Sequence, residues 1–169
     1  MRICIFSDTH GNLVALDAVL TDIKRQGEFD LTVMDGDLAW GGPRPAETID
    51  RIRALDCLVL SGNTDAWFGA RLAMPSQLEE VRAWHRAKIG EARAAYISSL
   101  PFSYSVEADA GHRLHIVHAN PRNLEDILVP AEEELSLKLI QATDAELICF
   151  GHVHAPNVWR VGRWTLADI

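Results

Sequence analysis

The chain has 169 residues, 48% of them hydrophobic, and a formal net charge of −8. That composition is too apolar for a disordered chain, and its acidity disfavours a nucleic-acid platform or attachment to anionic membranes, while leaving room for a small phosphorylated substrate. No apolar stretch reaches the roughly 18–20 residues a membrane helix needs, and the first apolar run meets Asp8 and His10 too soon for a signal peptide, so a cytoplasmic protein is expected.

Ile3 to Ser7 is a short apolar run that reads as a buried strand. It ends in Asp8-Thr9-His10-Gly11-Asn12, where Gly11 permits a sharp turn and Asn12 can cap a helix. From Leu13 to Lys24, apolar Leu13, Leu16, Val19, Leu20 and Ile23 form a helical stripe. Leu31 to Met34 is a second strand, running into Asp35-Gly36-Asp37 and the turn-rich Trp40 to Pro43. A helix is predicted over Pro45 to Leu55, and a third strand over Cys57 to Leu60, ending in Ser61-Gly62-Asn63-Thr64-Asp65. Alternating strands and helices imply parallel pairing, with the site beyond the carboxyl ends of the strands.

Residues 67–75 read as irregular and 77–100 as helix-rich. Phe102 to Glu107 and Arg113 to His118 alternate polar and apolar residues around a turn at Asp109-Ala110-Gly111, a hairpin signature. A short acidic-fronted helix over Ala131 to Ala142 and a buried strand over Leu147 to Phe150 follow, then Gly151-His152-Val153-His154 and a last hairpin around Gly162. Cys4, Cys57 and Cys149 lie in apolar runs and read as buried free thiols. With no repeat, low-complexity tract or linker, one domain over residues 1–169 is the simplest account.

Asp8, His10, Asp37, Asn63, His118, His152 and His154 all fall at predicted strand ends. Such a mixed oxygen and imidazole set suits Mn, Fe, Zn, Ni or Co better than Ca or Mg. The donors outnumber one tetrahedral site, which points to two divalent ions about 3.5–4 Å apart sharing a carboxylate. On an extended segment, His152 and His154 would face one side, as would Asp8 and His10.

The ordered series Asp8-Thr9-His10, Gly36-Asp37, Gly62-Asn63-Thr64-Asp65, His118 and Gly151-His152-Val153-His154 resembles that of the calcineurin-like metallophosphoesterase superfamily. In length and layout the chain looks most like its small bacterial and archaeal phosphodiesterases. The resemblance implies an α/β fold: a four-layer α/β/β/α sandwich of two mixed sheets with flanking helices. It implies that Asp8, His10, Asp37 and His154 hold a first ion, that Asp37, Asn63, His118 and His152 hold a second, and that Asp37 bridges them. Mn is the first expectation. The implied reaction is in-line attack of a metal-bridging hydroxide on the phosphorus of a small phosphate ester, with Asp37, Asn63 and His118 catalytic and Asn63 touching the phosphate. Asn12 is either a phosphate contact or a helix cap. The rival reading is a non-catalytic scaffold or metal- or phosphate-binding module, a use to which a retromer scaffold subunit puts the same fold.

The chain departs from the family at Thr64, where many members carry His. Thr cannot donate a proton near neutral pH, which weighs against substrates with poor leaving groups. Family members usually continue into another strand and an Asn-Pro-Gly-Ser-like loop, whereas this sequence stops at Asp168-Ile169. An absent closing strand would expose a sheet edge, and a homo-oligomer is therefore expected. Asp65 is expected to orient its loop. His85, among arginines, reads as solvated, His112 as exposed and His115 as packed. Trp40, Trp67 and Phe68 either frame the cleft or cap the core, and Arg44 and Arg122 are weaker phosphate-binding candidates.

Overall fold

The computed structural model describes residues 1–69, 71–108 and 111–169. β1 (Ile3–Phe6), β2 (Leu31–Asp35) and β3 (Leu58–Leu60) pair in parallel in the order β1-β2-β3. α1 (Leu13–Arg25) and α2 (Pro45–Arg53) connect them. α1 begins where Asn12 Oδ1 accepts the Ala15 N–H at 3.1 Å, so Asn12 caps the helix. α2 begins at Pro45, whose fixed φ and missing N–H suit a first helical turn.

The second sheet has the order β4-β5-β6-β8-β7. β4 (Ser103–Glu107) and β5 (Arg113–Val117) are antiparallel, as are β7 (Asn157–Val161) and β8 (Trp164–Asp168), so both predicted hairpins form. Of the predicted turn between β4 and β5, Asp109 and Ala110 lie outside the described residues. β6 (Leu147–Phe150) runs parallel to β5 and β8. α3 (Asn63–Phe68) and α4 (Glu79–Ser98) separate β3 from β4, and α5 (Glu133–Ile140) separates β5 from β6.

Strand alternation builds the layers. Val33 of β2 packs with Leu60, Leu114, Ile116 and Cys149 between the two sheets. Its neighbour Met34 points the other way, against Leu16, Ile49, Ile52, Phe68 and Ile97 of the helices. On the far side, Ile148, Phe150 and Leu166 pack against Leu139 and Ile140 of α5. Helices, sheet, sheet and helix give the expected four-layer α/β/β/α sandwich. Each fully buried aliphatic side chain in these layers contributes about 1.5–3 kcal/mol.

Three local expectations are corrected. The polar cluster after β3 and the start of the segment expected to be irregular, Trp67 and Phe68, form the helix Asn63–Phe68, its first turn held by Asp65 Oδ2 accepting the Gly62 N–H at 2.9 Å. His85 is buried at 3% exposure, because α4 turns it onto the aromatic side chains beneath Trp40. Cys4 and Cys57 are only half-buried, although all three cysteines are free. Among the described residues no helix is long and apolar enough to cross a membrane.

Candidate metal centre

Asp8, Asp37, Asn63, His118, His152 and His154 all follow the carboxyl ends of β1, β2, β3, β5 and β6 within a few residues. Their convergence does not come from strand alternation. Asp8, His10, Asp37, His152 and His154 are the non-glycine residues with positive φ among those described, at 55°, 45°, 56°, 71° and 58°. Each such residue costs of order 1–3 kcal/mol and persists only where the surroundings hold it. Here backbone bonds do so: Asp8 N–H to Gly36 O at 3.1 Å, His10 N–H to Asp37 O at 2.9 Å, and Gly151 N–H to His118 O at 2.9 Å. Gly36, at φ +84°, permits a close approach of the loops, since a Cβ there would lie 2.5 Å from Gly62 N and 2.7 Å from His118 Nδ1.

Asp8, His10 and His154 each offer one ligand atom within 4.8 Å of the others, and so do Asp8, Asp37 and His118. His154 Nε2 is 2.9 Å from Asp8 Oδ1. Asp37 turns Oδ2 toward His10 Nε2 and Oδ1 toward His118 Nε2, each at 3.5 Å, which places this carboxylate between the two histidines. Asn63 Oδ1 lies 3.2 Å from His118 Nε2. His152 joins neither tight group. Its ring meets that of His118 edge-on at 5.3 Å, and its N–H binds Asp8 Oδ2 at 3.1 Å.

Backbone carbonyls set the tautomers, because a carbonyl can only accept. His118 donates from Nδ1 to Asp35 O at 2.8 Å, and His10 from Nδ1 to Trp40 O at 2.8 Å. In the neutral rings both Nε2 atoms therefore carry lone pairs. His152 donates from Nε2 to Glu125 O at 3.2 Å, which leaves its lone pair on Nδ1. Burial holds the pKa values of His118 and His152 below the usual range, favouring these neutral forms. The His118 lone pair thus faces the Asn63 oxygen, acceptor to acceptor.

The carboxyl groups are equally short of counter-charge. Burial, then Asp8, pushes Asp37 up to about 6, against the pull of His10 and Thr64. Burial, then Asp37, pushes Asp65 up to about 6. Asp35, fully buried, is raised well above its usual range by burial and by Asp8 and Asp37. Converging lone pairs and crowded carboxylates fit a site that takes divalent cations.

Asp65 proves to be a hub. Its carboxylate accepts the N–H groups of Asp37 at 2.8 Å, Leu38 at 3.2 Å and Gly62 at 2.9 Å, tying the β2 loop to the β3 loop. Asn120 was missed in the sequence. It is buried, and its side chain binds the Arg122 and Asn123 N–H groups and Asp126 O, shaping the loop whose Glu125 carbonyl orients His152. A cleft of about 600 Å³ adjoins the centre, lined in part by His10, Asn12, Trp40, Pro43 and His154. Trp40 both borders this cleft and packs on the core, with Trp67 at 5.1 Å and Phe68 at 5.7 Å. The Arg122 guanidinium is turned to the Lys138 carbonyl, and His112 is exposed. His115 is half-buried and paired with Ser105 at 2.7 Å.

Comparison with known proteins bears on the fold and the family. The chain is 31% identical over 162 residues to the uncharacterized protein MJ0912 of Methanocaldococcus jannaschii, covering 92% of itself and 63% of that protein. It therefore spans less than two thirds of this curated relative. The crystal structure of a metallophosphoesterase from Sphaerobacter thermophilus superposes with a TM-score of 0.76 at 26% identity, over 99% of this chain and 75% of that one. The hypothetical protein PH1004 of Pyrococcus horikoshii shares the fold, with a TM-score of 0.81 at 17% identity over 99% and 75% of the two chains. The family model for calcineurin-like phosphoesterases matches residues 1–156, and the chain belongs to that family.

Proposed function

We propose that the chain is a dinuclear metal-dependent phosphoesterase acting on phosphodiesters. Members of its family are generally metal-dependent hydrolases. The observation that carries the reading is the convergence of imidazole lone pairs and carboxylate oxygens on one small volume. Asp8, His10 and His154 would hold one ion, and Asn63, His118 and His152 the other, with Asp37 serving both. Manganese is the first choice, and iron, zinc, nickel and cobalt suit the same donors. When bound, such ions supply Lewis acidity that polarises phosphoryl oxygens and lowers the pKa of nearby water.

The chain's own groups do the rest. Asn63, on the first turn of α3, is 9% exposed and faces His118, so its side chain can meet a phosphoryl oxygen beside the second ion. The Thr64 N–H is committed to Asp37 Oδ1 at 3.0 Å. No imidazole stands at position 64 to protonate a departing alkoxide, which favours esters whose alcohol leaves unaided. A diester monoanion also suits this acidic chain better than a monoester dianion.

The test is hydrolysis of bis(p-nitrophenyl) phosphate by Mn²⁺-loaded protein, against p-nitrophenyl phosphate, a chelated sample and Asp37→Ala. Hydrolysis of the diester above the monoester, lost in the last two samples, is expected. Equal rates in loaded, chelated and substituted protein overturn the reading.

A further inference from the structure

His85 lies outside the metal centre but is joined to it through one peptide unit. It sits on α4 at 3% exposure, inside an aromatic box. Trp40 stacks on its ring at 5.1 Å and 25°, while Trp84 and Phe68 meet it edge-on at 4.7 Å and 6.1 Å. Its Nε2 accepts the Gly41 N–H at 3.1 Å. A nitrogen that accepts carries no proton, so the neutral ring holds its proton on Nδ1.

The carbonyl of the same Trp40–Gly41 peptide accepts the His10 Nδ1–H at 2.8 Å. One peptide plane thus stands between two imidazoles, receiving a bond from one and giving a bond to the other. Bonds in such a chain polarise one another, so accepting from Gly41 makes the Trp40 carbonyl a better acceptor for His10. The outcome at His10 is a fixed proton on Nδ1 and an Nε2 lone pair 3.5 Å from Asp37 Oδ2 and 3.4 Å from His154 Nε2.

The loop needs such a hold. Gly41 has φ +86° and is exposed, and the Trp40 to Pro43 segment carries no regular secondary structure. His85 reaches it from the part of α4 before the break at Gly90, which Ile89 anchors in the core. The ring does so at a cost, because its Nδ1 is buried without a partner. A buried donor left unpaired costs about 1–3 kcal/mol. A residue serving only to fill the box would be better apolar.

We propose that His85 is a positioning residue for the metal centre, fixing the tautomer and orientation of His10 through the Trp40–Gly41 peptide. The inference rests on the metal-centre reading for its purpose, though not for its geometry. Groups that support a metal-bound histidine typically alter affinity 10–100-fold when removed.

The test begins in metal-free protein by ¹⁵N magnetic resonance. A through-bond coupling between Gly41 N and His85 Nε2 is expected, with His10 protonated on Nδ1. Absence of the coupling, or an Nε2-protonated His10, overturns the proposal without any substitution. His85→Phe, which cannot accept, is expected to release His10 to a tautomer mixture, whereas His85→Gln, which can accept through Oε1, holds it. Calorimetric Mn²⁺ titration should show His85→Phe loosening one ion about tenfold and sparing the other, and His85→Gln staying within about threefold of the parent. An unchanged His10 tautomer in His85→Phe, or equal loosening of both ions, overturns the proposal. If the parent binds no ion while the coupling and tautomer stand, the metal reading falls and the positioning geometry survives.

Discussion

The Nε2 atoms of His10 and His154 lie 3.4 Å apart, although 144 residues separate them in the chain. His10 is tied by its other nitrogen to Trp40, while His154, the more exposed of the two, meets Asp8 and the His10 ring through its Nε2 side. Replacing His154 by alanine therefore removes a donor with little structural loss. We expect His154→Ala to weaken one Mn²⁺ site more than about 100-fold, beyond what a merely supporting group would do. The site containing His118 should hold its affinity within about threefold, and the melting temperature of the metal-free protein should shift by less than about 2 °C. Titration calorimetry resolving two sites in the parent and one in the variant checks this.

Metal uptake should depend on pH in a stated direction. Asp37 is raised to about 6 by burial and by Asp8, so metal-free protein below that pH carries a proton where a cation must bind. Affinity is expected to fall as pH drops from 7.5 to 5, with a proton released per protein near pH 6. Calorimetry in two buffers of different ionisation enthalpy reads that proton directly, and a pH-independent affinity would contradict the placement of Asp37 between the histidines.

Much of the fold was legible because it rests on local pattern. Runs such as Leu31 to Met34 are short, apolar and bounded by turns, and the polar clusters that follow them marked the site edge. The left-handed backbone at Asp8, His10, Asp37, His152 and His154 was not legible, since bonds from distant loops impose it. α3 escaped because it is six residues long and is preceded by Gly62, which has no capping side chain. His85 was misread for a similar reason. The arginines around it suggest solvent, while its burial comes from Trp40 and Phe68, remote in sequence. Its spacing of four from buried Ile89 was the available signal, for that spacing puts both on one helix face.

Gly36→Ala tests how tightly the loops are packed. Alanine at φ +84° is strained, and its Cβ would meet Gly62 N at 2.5 Å and His118 Nδ1 at 2.7 Å, both held by the fold. The His118 ring would have to move away from Asp35 O and Asp37. We expect a loss of about 2–4 kcal/mol of stability, read by urea unfolding, together with loss of the ion at His118.

Asp65→Ala should damage both loops at once. The carboxylate holds three buried N–H groups, on Asp37, Leu38 and Gly62. Unpaired buried donors cost about 1–3 kcal/mol each, less what water entering the gap recovers. We expect about 3–5 kcal/mol of destabilisation by denaturant titration, with Asp65→Asn closer to the parent because one oxygen remains to accept.

Asp37→Asn should move stability and function in opposite directions. The carboxyl of Asp37 titrates near 6 in the folded metal-free protein and near 3.8 when unexposed to these neighbours. A raised folded value means the folded state binds the proton more tightly. The stabilisation is full below about pH 4 and is lost as pH rises through about 6. At pH 8 the metal-free protein therefore carries an unfavourable charge that asparagine removes, while the asparagine carbonyl still accepts the Thr64 N–H. We expect the metal-free variant to be more stable than the parent at pH 8, by about 1–3 kcal/mol, and level with it at pH 4. Added Mn²⁺ should reverse the order at pH 8, since it stabilises only the protein that binds it. Thermal melts at the two pH values, with and without metal, read both effects, and a variant less stable than the parent in metal-free solution at pH 8 would refute the account of Asp37 as a carboxylate held for a cation.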